Sequence, residues 1–324
     1  MTQSPNRPAP AALTGPRARA SYEYVLPILD RLREAGREAL LVGGGVRDLL
    51  IDREVNDWDV ATDALPEDLL ELWPKAIPTG LRHGTITVLT DRGPVEVTTF
   101  RAEGPYSDRR RPDWVRFGVS LADDLSRRDF TVNAMAFDPF AAVLHDSEGG
   151  LADLEARLLR AVGDPDRRFT EDALRPLRGI RLAAVLDFEI DEATFSAMGR
   201  AAPRVTGVAR ERIRDELLKL LAAERPSRGF EWLRKAGILE RVIPELLEGV
   251  AMEQNRHHLY TVHEHTLRTL DASPADNLRV RLAALFHDIG KPRTRKVVEG
   301  EGTFYNHQHV GAAMTREILG RLRF

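Results

Sequence analysis

The stretch that most restricts what this chain can become is residues 40–62, LLVGGGVRDLLIDREVNDWDVAT. A short apolar strand, Ala39–Val42, runs into Gly43, Gly44 and Gly45, and a helical start follows with Val46, Leu49 and Leu50 on one face. Glycines after a strand let backbone N–H groups approach an anion closely, and a helix N-terminus adds positive potential there. The segment from Asn56 to Val60 then reads as extended chain. Residues i and i+2 of a strand share a face, so Asp57 and Asp59 project together. Two carboxylates on one face repel each other and invite a hard divalent cation with oxygen ligands. A phosphate cradle followed by such a pair is what two-metal phosphoryl transfer needs. The alternative is a plain glycine turn followed by solvated aspartates, against which stands the poor fit of Asp to strands. The pattern is neither GxGxxG nor a Walker loop, since no Lys follows the glycines.

At 324 residues the chain is expected to form two to four packed units. Its 43% hydrophobic and 30% charged residues are those of a soluble globular protein. Without cysteine there are no disulfides, and a zinc site would need His and carboxylate ligands. No apolar run approaches the roughly 20 residues that span a bilayer, so no membrane partner is expected. The first 20 residues hold four prolines and three arginines without a signal-like apolar core. They read as a disordered arm, and the expected location is the cytoplasm. A net charge of −3 does not announce a nucleic-acid binder. Any RNA must be held by local clusters: Arg109, Arg110 and Arg111, the pair Arg127 and Arg128, and the arginines between Arg204 and Arg214. Each could equally be a solvated face.

Residues 21–35 form an amphipathic pattern with Tyr24, Leu26, Ile28, Leu29 and Leu32 apolar and Gly36 as a stop. Residues 66–73 read as a helix, and residues 84–89 and 95–100 as two strands joined by the turn Asp91-Arg92-Gly93-Pro94. Glu96 lies in the second of these strands. Were that strand paired beside the aspartates, Glu96 could face them as a third carboxylate; an ordinary exposed Glu is the alternative. Residues 102–112, AEGPYSDRRRP, are polar and suited to a mobile loop. From about Asp166 the pattern is helical throughout. Thr170 is placed to cap a helix carrying Asp172, Arg175 and Arg178, with Pro176 inside it as a source of a kink. Asp172 and Arg175 share a face at i,i+3, and an intrahelical ion pair is the bland reading. Near the C-terminus, His263 and His265 are expected just before a helix. His287-Asp288-Ile289-Gly290-Lys291-Pro292 follows an apolar run, and His307 and His309 come later.

GGGVRDLL followed by NDWDVAT resembles the opening motif of the class II tRNA nucleotidyltransferase (CCA-adding enzyme) and poly(A) polymerase family. Gly43, Gly44, Arg47, Asp48, Asp57 and Asp59 match it. LSRRDFTVNAMA resembles the family's second motif through Arg127, Arg128, Asp129 and Asn133. EDALRPLR resembles its nucleotide-template motif, and ARERIRDELLKLL its last motif. HGTITVL with VEVTTFR is similar to the tRNA branch, and the basic segment characteristic of poly(A) polymerases is absent. Residues 102–112 resemble the flexible loop that CCA-adding and A-adding enzymes possess. His265, His287 and Asp288 match the ligand set of the HD phosphohydrolase superfamily, whose later Asp has no counterpart, since Asp288 is the last aspartate.

The resemblance implies an α+β fold, a polymerase-β-like nucleotidyltransferase head followed by an all-α neck, body and partial HD domain. The expected divisions are a disordered arm to residue 20, the head over 21–150, the neck over 151–225, the body over 226–256 and a truncated HD-like segment over 257–324. It implies template-independent addition of C and A from CTP and ATP to tRNA 3′ ends, with the tRNA acceptor arm as partner. Asp57 and Asp59 are the implied catalytic ligands of two Mg²⁺ ions; Gly43, Gly44 and Arg47 the triphosphate site; Arg128, Asp129 and Asn133 the ribose site. Asp172, Arg175 and Arg178 are implied to read the base. An aspartate accepting from an exocyclic amine beside an arginine donating to the ring copies an edge that C and A present and G and U do not. Arg210, Arg212 and Glu216 are expected to brace the neck, and another divalent metal is implied at the HD residues. Two rivals are an A-adding or poly(A)-adding enzyme with the same head, and an HD-type metal-dependent phosphohydrolase whose head only binds RNA.

Overall fold

The computed structural model describes residues 6–104, 114–254, 259–298 and 301–324. The chain divides into two compact units, residues 1–164 and 165–324. The first is built on an eight-stranded mixed sheet in the order β1-β10-β9-β2-β3-β6-β5-β4. Its strands are β1 (Asn6–Pro8), β2 (Ala39–Val42), β3 (Asp59–Thr62), β4 (Ile77–Gly80), β5 (Thr85–Thr90), β6 (Gly93–Thr99), β9 (Ala136–Asp138) and β10 (Val143–His145). A separate ribbon pairs β7 (Arg101–Glu103) with β8 (Val115–Phe117). Helices α1 (Ala11–Thr14), α2 (Pro16–Tyr22), α3 (Leu26–Glu34), α4 (Gly44–Leu50), α5 (Pro66–Leu72), α6 (Leu121–Ser126) and α7 (Gly150–Glu155) complete it.

The expected strand at Ala39–Val42 forms as read, buried at all four positions, which is why it carries no polar residue. The expected hairpin forms as β5 and β6, and β6 lies parallel to β3 with Asp59 opposite Glu96. Leu40 and Val42 meet Ala61, Phe100, Leu125 and Ala136 in one core cluster.

Two expectations are corrected in this unit. The arm is ordered from Asn6 onward: β1 pairs with β10 through Asn6 and His145, and Leu13, Ala18 and Tyr22 are buried. A sheet edge with unpaired backbone groups and three apolar side chains supply what composition alone hid. The helix read over 21–35 is interrupted by a 3₁₀ turn at Glu23–Val25, and α3 restarts with Pro27 in its first turn, where a missing N–H is tolerated.

The second unit is helical apart from short strands. Its helices are α8 (Pro165–Glu171), α9 (Arg175–Leu186), α10 (Glu192–Ala201), α11 (Arg210–Leu221), α12 (Pro226–Lys235), α13 (Leu239–Val242), α14 (Val262–Asp271), α15 (Leu278–Phe286), α16 (Lys291–Thr294) and α17 (His307–Arg321). Pro176 does not kink a helix. The chain breaks after α8, the Asp172 carboxylate accepts from the Leu174 N–H at 2.9 Å, and α9 begins at Arg175 with Pro176 in its first turn. Thr170 sits inside α8, its hydroxyl donating to the Asp166 carbonyl, and caps nothing. His263 and His265 lie within α14, capped one residue earlier by Thr261, whose hydroxyl accepts from the Glu264 N–H.

Candidate active site

β2 delivers the chain to Gly43, whose φ of +75° is one that L side chains rarely adopt. A Cβ there would also stand 3.1 Å from Arg128 Nη1. α4 starts at Gly44, and the return strand β3 starts at Asp59, so Asp57 lies in the approach rather than in the strand as expected. Both aspartates are solvent-accessible while Trp58 between them is 1% exposed, an alternation that keeps the carboxylates off the core. The Asp59 carboxyl is pushed up to about 6 by the loss of surrounding water, then by Glu96 and Asp57, against the pull of Arg128. Negative charge is therefore under-compensated here, and a bound cation would relieve it. The donor set, carboxylate oxygens only, fits Mg²⁺ completed by substrate phosphates. Glu96 is registered opposite Asp59, yet Asp57, Asp59 and Glu96 do not gather their oxygens into one cluster within 4.8 Å, as the HD residues do.

The residues of the second motif converge on the same turn. Arg47 Nη1 donates to Asn133 Oδ1, while Arg47 forks onto Asp48 with both bonds at 2.9 Å. Arg128 donates to the Asn133 carbonyl at 3.2 Å and reaches Asp124 at 3.4 Å, and its buried Nε has no hydrogen-bond partner among the described residues. The Asp129 carboxylate accepts from the Phe130 N–H at 2.9 Å and the Asn133 amide at 3.4 Å. Sequence reading missed Asp124. Burial opposes its charge, but Arg127, Arg128 and the Arg101 N–H hold its carboxyl below the usual range. The signal was present: Asp124 precedes the arginine pair by three and four residues on α6, the spacing of one helix face. Arg127 also pairs with Glu103, on the same Oε1 that Arg101 holds. Of the segment 102–112, Glu103 is thus paired with two arginines; residues 105–113, with Asp108 and the arginines 109–111, lie outside the described residues.

In the second unit Asp172 and Arg175 are both buried, and they do not form the ion pair that their spacing suggests. Asp172 Oδ2 accepts from Arg212 Nη2 at 2.9 Å, forty positions away. Arg175 Nη1 donates to the Arg168 carbonyl at 2.9 Å and to Glu171. Buried Glu216 accepts from Arg181 at 2.9 Å and stands 3.8 Å from Arg178, while Arg210 is half-buried at the start of α11.

The HD residues assemble. His265 from α14 places Nε2 3.1 Å from Nε2 of His287 and 3.5 Å from Asp288 Oδ2, and His287 Nε2 lies 3.0 Å from that oxygen. His263 points elsewhere, its Nε2 2.6 Å from Glu231. Lys291 Nζ is 2.7 Å from Asp288 Oδ2, and His307 Nε2 is 3.7 Å from Oδ1. Burial opposes the Asp288 charge, but His287 and Lys291 outweigh it and hold the carboxyl far below its usual range. Two imidazoles and a carboxylate suit a transition metal better than Mg²⁺.

Residues 39–160 match the family described as poly A polymerase head domain. Residues 187–249 match the probable RNA and SrmB-binding site of polymerase A, and residues 255–324 the HD domain. The chain is 42% identical over 253 residues to the CCA-adding enzyme of Levilactobacillus brevis, a stretch covering 74% of this chain and 64% of that one. It also matches the crystal structure of the Bacillus stearothermophilus CCA-adding enzyme in complex with CTP, with a TM-score of 0.69 and 31% identity over 94% of this chain and 69% of that one. The chain belongs to the class II tRNA nucleotidyltransferase and poly(A) polymerase family. A solved tRNA nucleotidyltransferase complexed with a primer tRNA and an incoming ATP analog gives a TM-score of 0.54 at 29% identity over 68% of this chain and 66% of that one. The polymerase-β-like head followed by helical regions and an HD domain is therefore this family's α+β architecture. The matched stretch spans less than two thirds of the Levilactobacillus brevis relative.

Proposed function

We propose that this chain is a template-independent RNA nucleotidyltransferase that adds C and A from CTP and ATP to the 3′ end of tRNA, acting in the cytoplasm. The observation that carries the reading is the placement of Asp59 in the sheet, opposite Val42 beside the Gly43 turn on one side and Glu96 on the other, with Asp57 two residues before it. Three carboxylates brought near one another in this way support a bound cation. Two Mg²⁺ held by Asp57 and Asp59 would activate the RNA 3′-hydroxyl and steady the pyrophosphate leaving group. The backbone at Gly43 and Gly44, with Arg47, takes the triphosphate. Arg128, Asp129 and Asn133 take the ribose, where a carboxylate acceptor distinguishes a 2′-hydroxyl from its absence. Asp172 and Arg175 read the base edge, Asp172 oriented by Arg212 and the helix by Glu216 with Arg178 and Arg181. The tRNA acceptor arm is held by phosphate and shape, as A-form RNA generally is. No helix of the described residues is long and apolar enough to cross a membrane.

Incubation with tRNA lacking its last three nucleotides tests this, with CTP and ATP supplied separately and together. Incorporation of C from CTP alone, and of A only after C, supports CCA addition. Addition of A alone, only to tRNA ending in CC, would make it an A-adding enzyme; unlimited A addition would make it a poly(A) polymerase. No incorporation of either would sink the reading. The clustering of His265, His287 and Asp288 favours a second activity, metal-dependent phosphohydrolysis at the HD residues. Release of phosphate from nucleotide monoesters with added transition metal, lost in His265→Ala, tests it.

A further inference from the structure

One side chain in the head stands in sequence between the two candidate metal ligands and has no role in the chemistry above. Trp58 separates Asp57 from Asp59, and it is 1% exposed. Its indole is taken into the core while Asp57 and Asp59 on either side of it stay exposed to solvent. The indole meets the glycine turn directly: a Cβ on Gly45 would lie 2.6 Å from Trp58 Cε3 and 2.8 Å from Cζ3, so only glycine lets α4 come this close. On its far side, Trp58 Nε1 donates to the Ser21 carbonyl at 3.0 Å. That carbonyl belongs to the last turn of α2, where helix carbonyls lack intrahelical partners. Tyr22 adds an edge-to-face contact, ring centroids 5.9 Å apart at 89°. Tyr22 is itself fixed by its hydroxyl donating to the Leu13 carbonyl at 3.2 Å, and by a second edge contact with Phe137 of β9.

We propose that Trp58 is a positioning residue: clamped between Gly45 and the end of α2, it sets the spacing and direction of Asp57 and Asp59. The N-terminal segment then serves the site, although it lies outside the region shared with the polymerase head family, residues 39–160. Indole is suited to this task because it offers one donor and a large rigid body with few rotatable bonds. Asp57 is in the approach to β3 and has no ladder partner of its own. The buried ring next to it supplies the constraint that pairing would otherwise give. Sites of this kind work only when held within about 0.5 Å of the productive geometry, so a loosened anchor is felt in metal affinity before it is felt in folding.

The proposal rests on Asp57 and Asp59 binding a divalent cation, and the test separates the two ideas. Mn²⁺ alone is titrated into the full chain, without nucleotide or RNA, and free ion is followed by its EPR signal alongside thermal melting. The part of the binding lost in Asp57→Asn defines the site and removes any contribution from the HD residues. Trp58→Phe keeps a ring but loses the N–H donor, and should weaken that binding by about tenfold, in line with supporting contacts at other metal sites. Tyr22→Leu should weaken it in the same direction. Leu69→Ala, buried in α5 and outside the contacts of Trp58 and Tyr22, should lower the melting temperature and leave binding unchanged. Asp57-dependent binding in Trp58→Phe within about twofold of the parent would overturn the positioning role and leave the metal assignment standing. Loss of binding in all three variants in proportion to melting temperature would reduce Trp58 to general stability and overturn it too. A parent protein with no Asp57-dependent binding would bring down the metal assignment, and the positioning role with it.

Discussion

Asp59 carries a cost that a structural carboxylate would not. Its pKa in the folded protein, about 6, lies above the ordinary carboxylate value of 3.8, so the folded state binds this proton more tightly than the unfolded chain does. The metal-free protein should therefore lose stability as pH rises from about 4 through 6, and Asp59→Asn should remove that loss. At neutral pH without metal, Asp57→Ala and Asp59→Asn should melt at the parent's temperature or above it, while nucleotide addition falls by about a thousandfold or more. Thermal scans across pH beside incorporation assays check both halves. Full activity in either variant would remove the carboxylates from the mechanism. At the neck, Asp172 is held by Arg212, so Arg212→Leu should relax the choice among nucleotides almost as much as Asp172→Ala. The expected loss is about tenfold to a hundredfold in discrimination against GTP and UTP, the range of one well-made base contact. Unchanged discrimination in Asp172→Ala would remove it from base reading.

The ribbon of β7 and β8 flanks residues 105–113 in the sequence and is itself well paired. Arg101 pairs with Phe117 and Glu103 with Val115 in the ladder, the Gly104 N–H donates to the Trp114 carbonyl at 3.0 Å, and Glu103 is held by Arg101 and Arg127. Removing residues 105–112 should leave the ribbon and the rest of the head intact. The resemblance links this loop to the final adenosine step, in which a larger purine must fit the same reading residues. Deleting residues 105–112 should abolish A addition to tRNA ending in CC, and C addition to tRNA lacking all three nucleotides should largely survive. Equal losses on both substrates would make the loop merely structural.

The two units answer acid differently. Unit 1 holds Asp59, whose raised pKa favours mild acidity, as well as Asp124, whose depressed carboxyl loses its contribution in acid. Unit 2 holds Asp288, whose carboxyl is depressed by His287 and Lys291 and so contributes stability that is present above the ordinary carboxylate range and lost as pH falls through and below it. His287 is raised: burial opposes its charge, but Asp288 and the Ala284 carbonyl outweigh that, and its contribution fades as pH rises past the usual His value. Scanning calorimetry of the metal-free chain below about pH 4 should show unit 2 melting earlier, and Lys291→Met should raise the pH at which this begins. A single transition moving as one with pH would show that the units do not melt separately.

Much of the head was legible because it is written locally. The four apolar residues of β2, the glycines behind it, the turn between β5 and β6 and the alternation around Trp58 are each specified within a few neighbouring residues. The same holds for the helical second unit, where the 3.6-residue period recurs from helix to helix. What the period could not say is which partner each element or side chain would meet. Asp172 and Arg175 share a helix-like spacing, but the chain breaks between α8 and α9 and Arg212 claims the aspartate. His263 and His265 are equivalent in sequence, yet one faces Glu231 and the other His287. The prolines and arginines of the first 20 residues read as disorder until the open edge of β10 and the Tyr22 and Trp58 contact gave them somewhere to pack. Periodicity is set by backbone geometry over one or two turns; partner choice is set by packing and hydrogen bonding between residues tens of positions apart, and that only the tertiary structure decided.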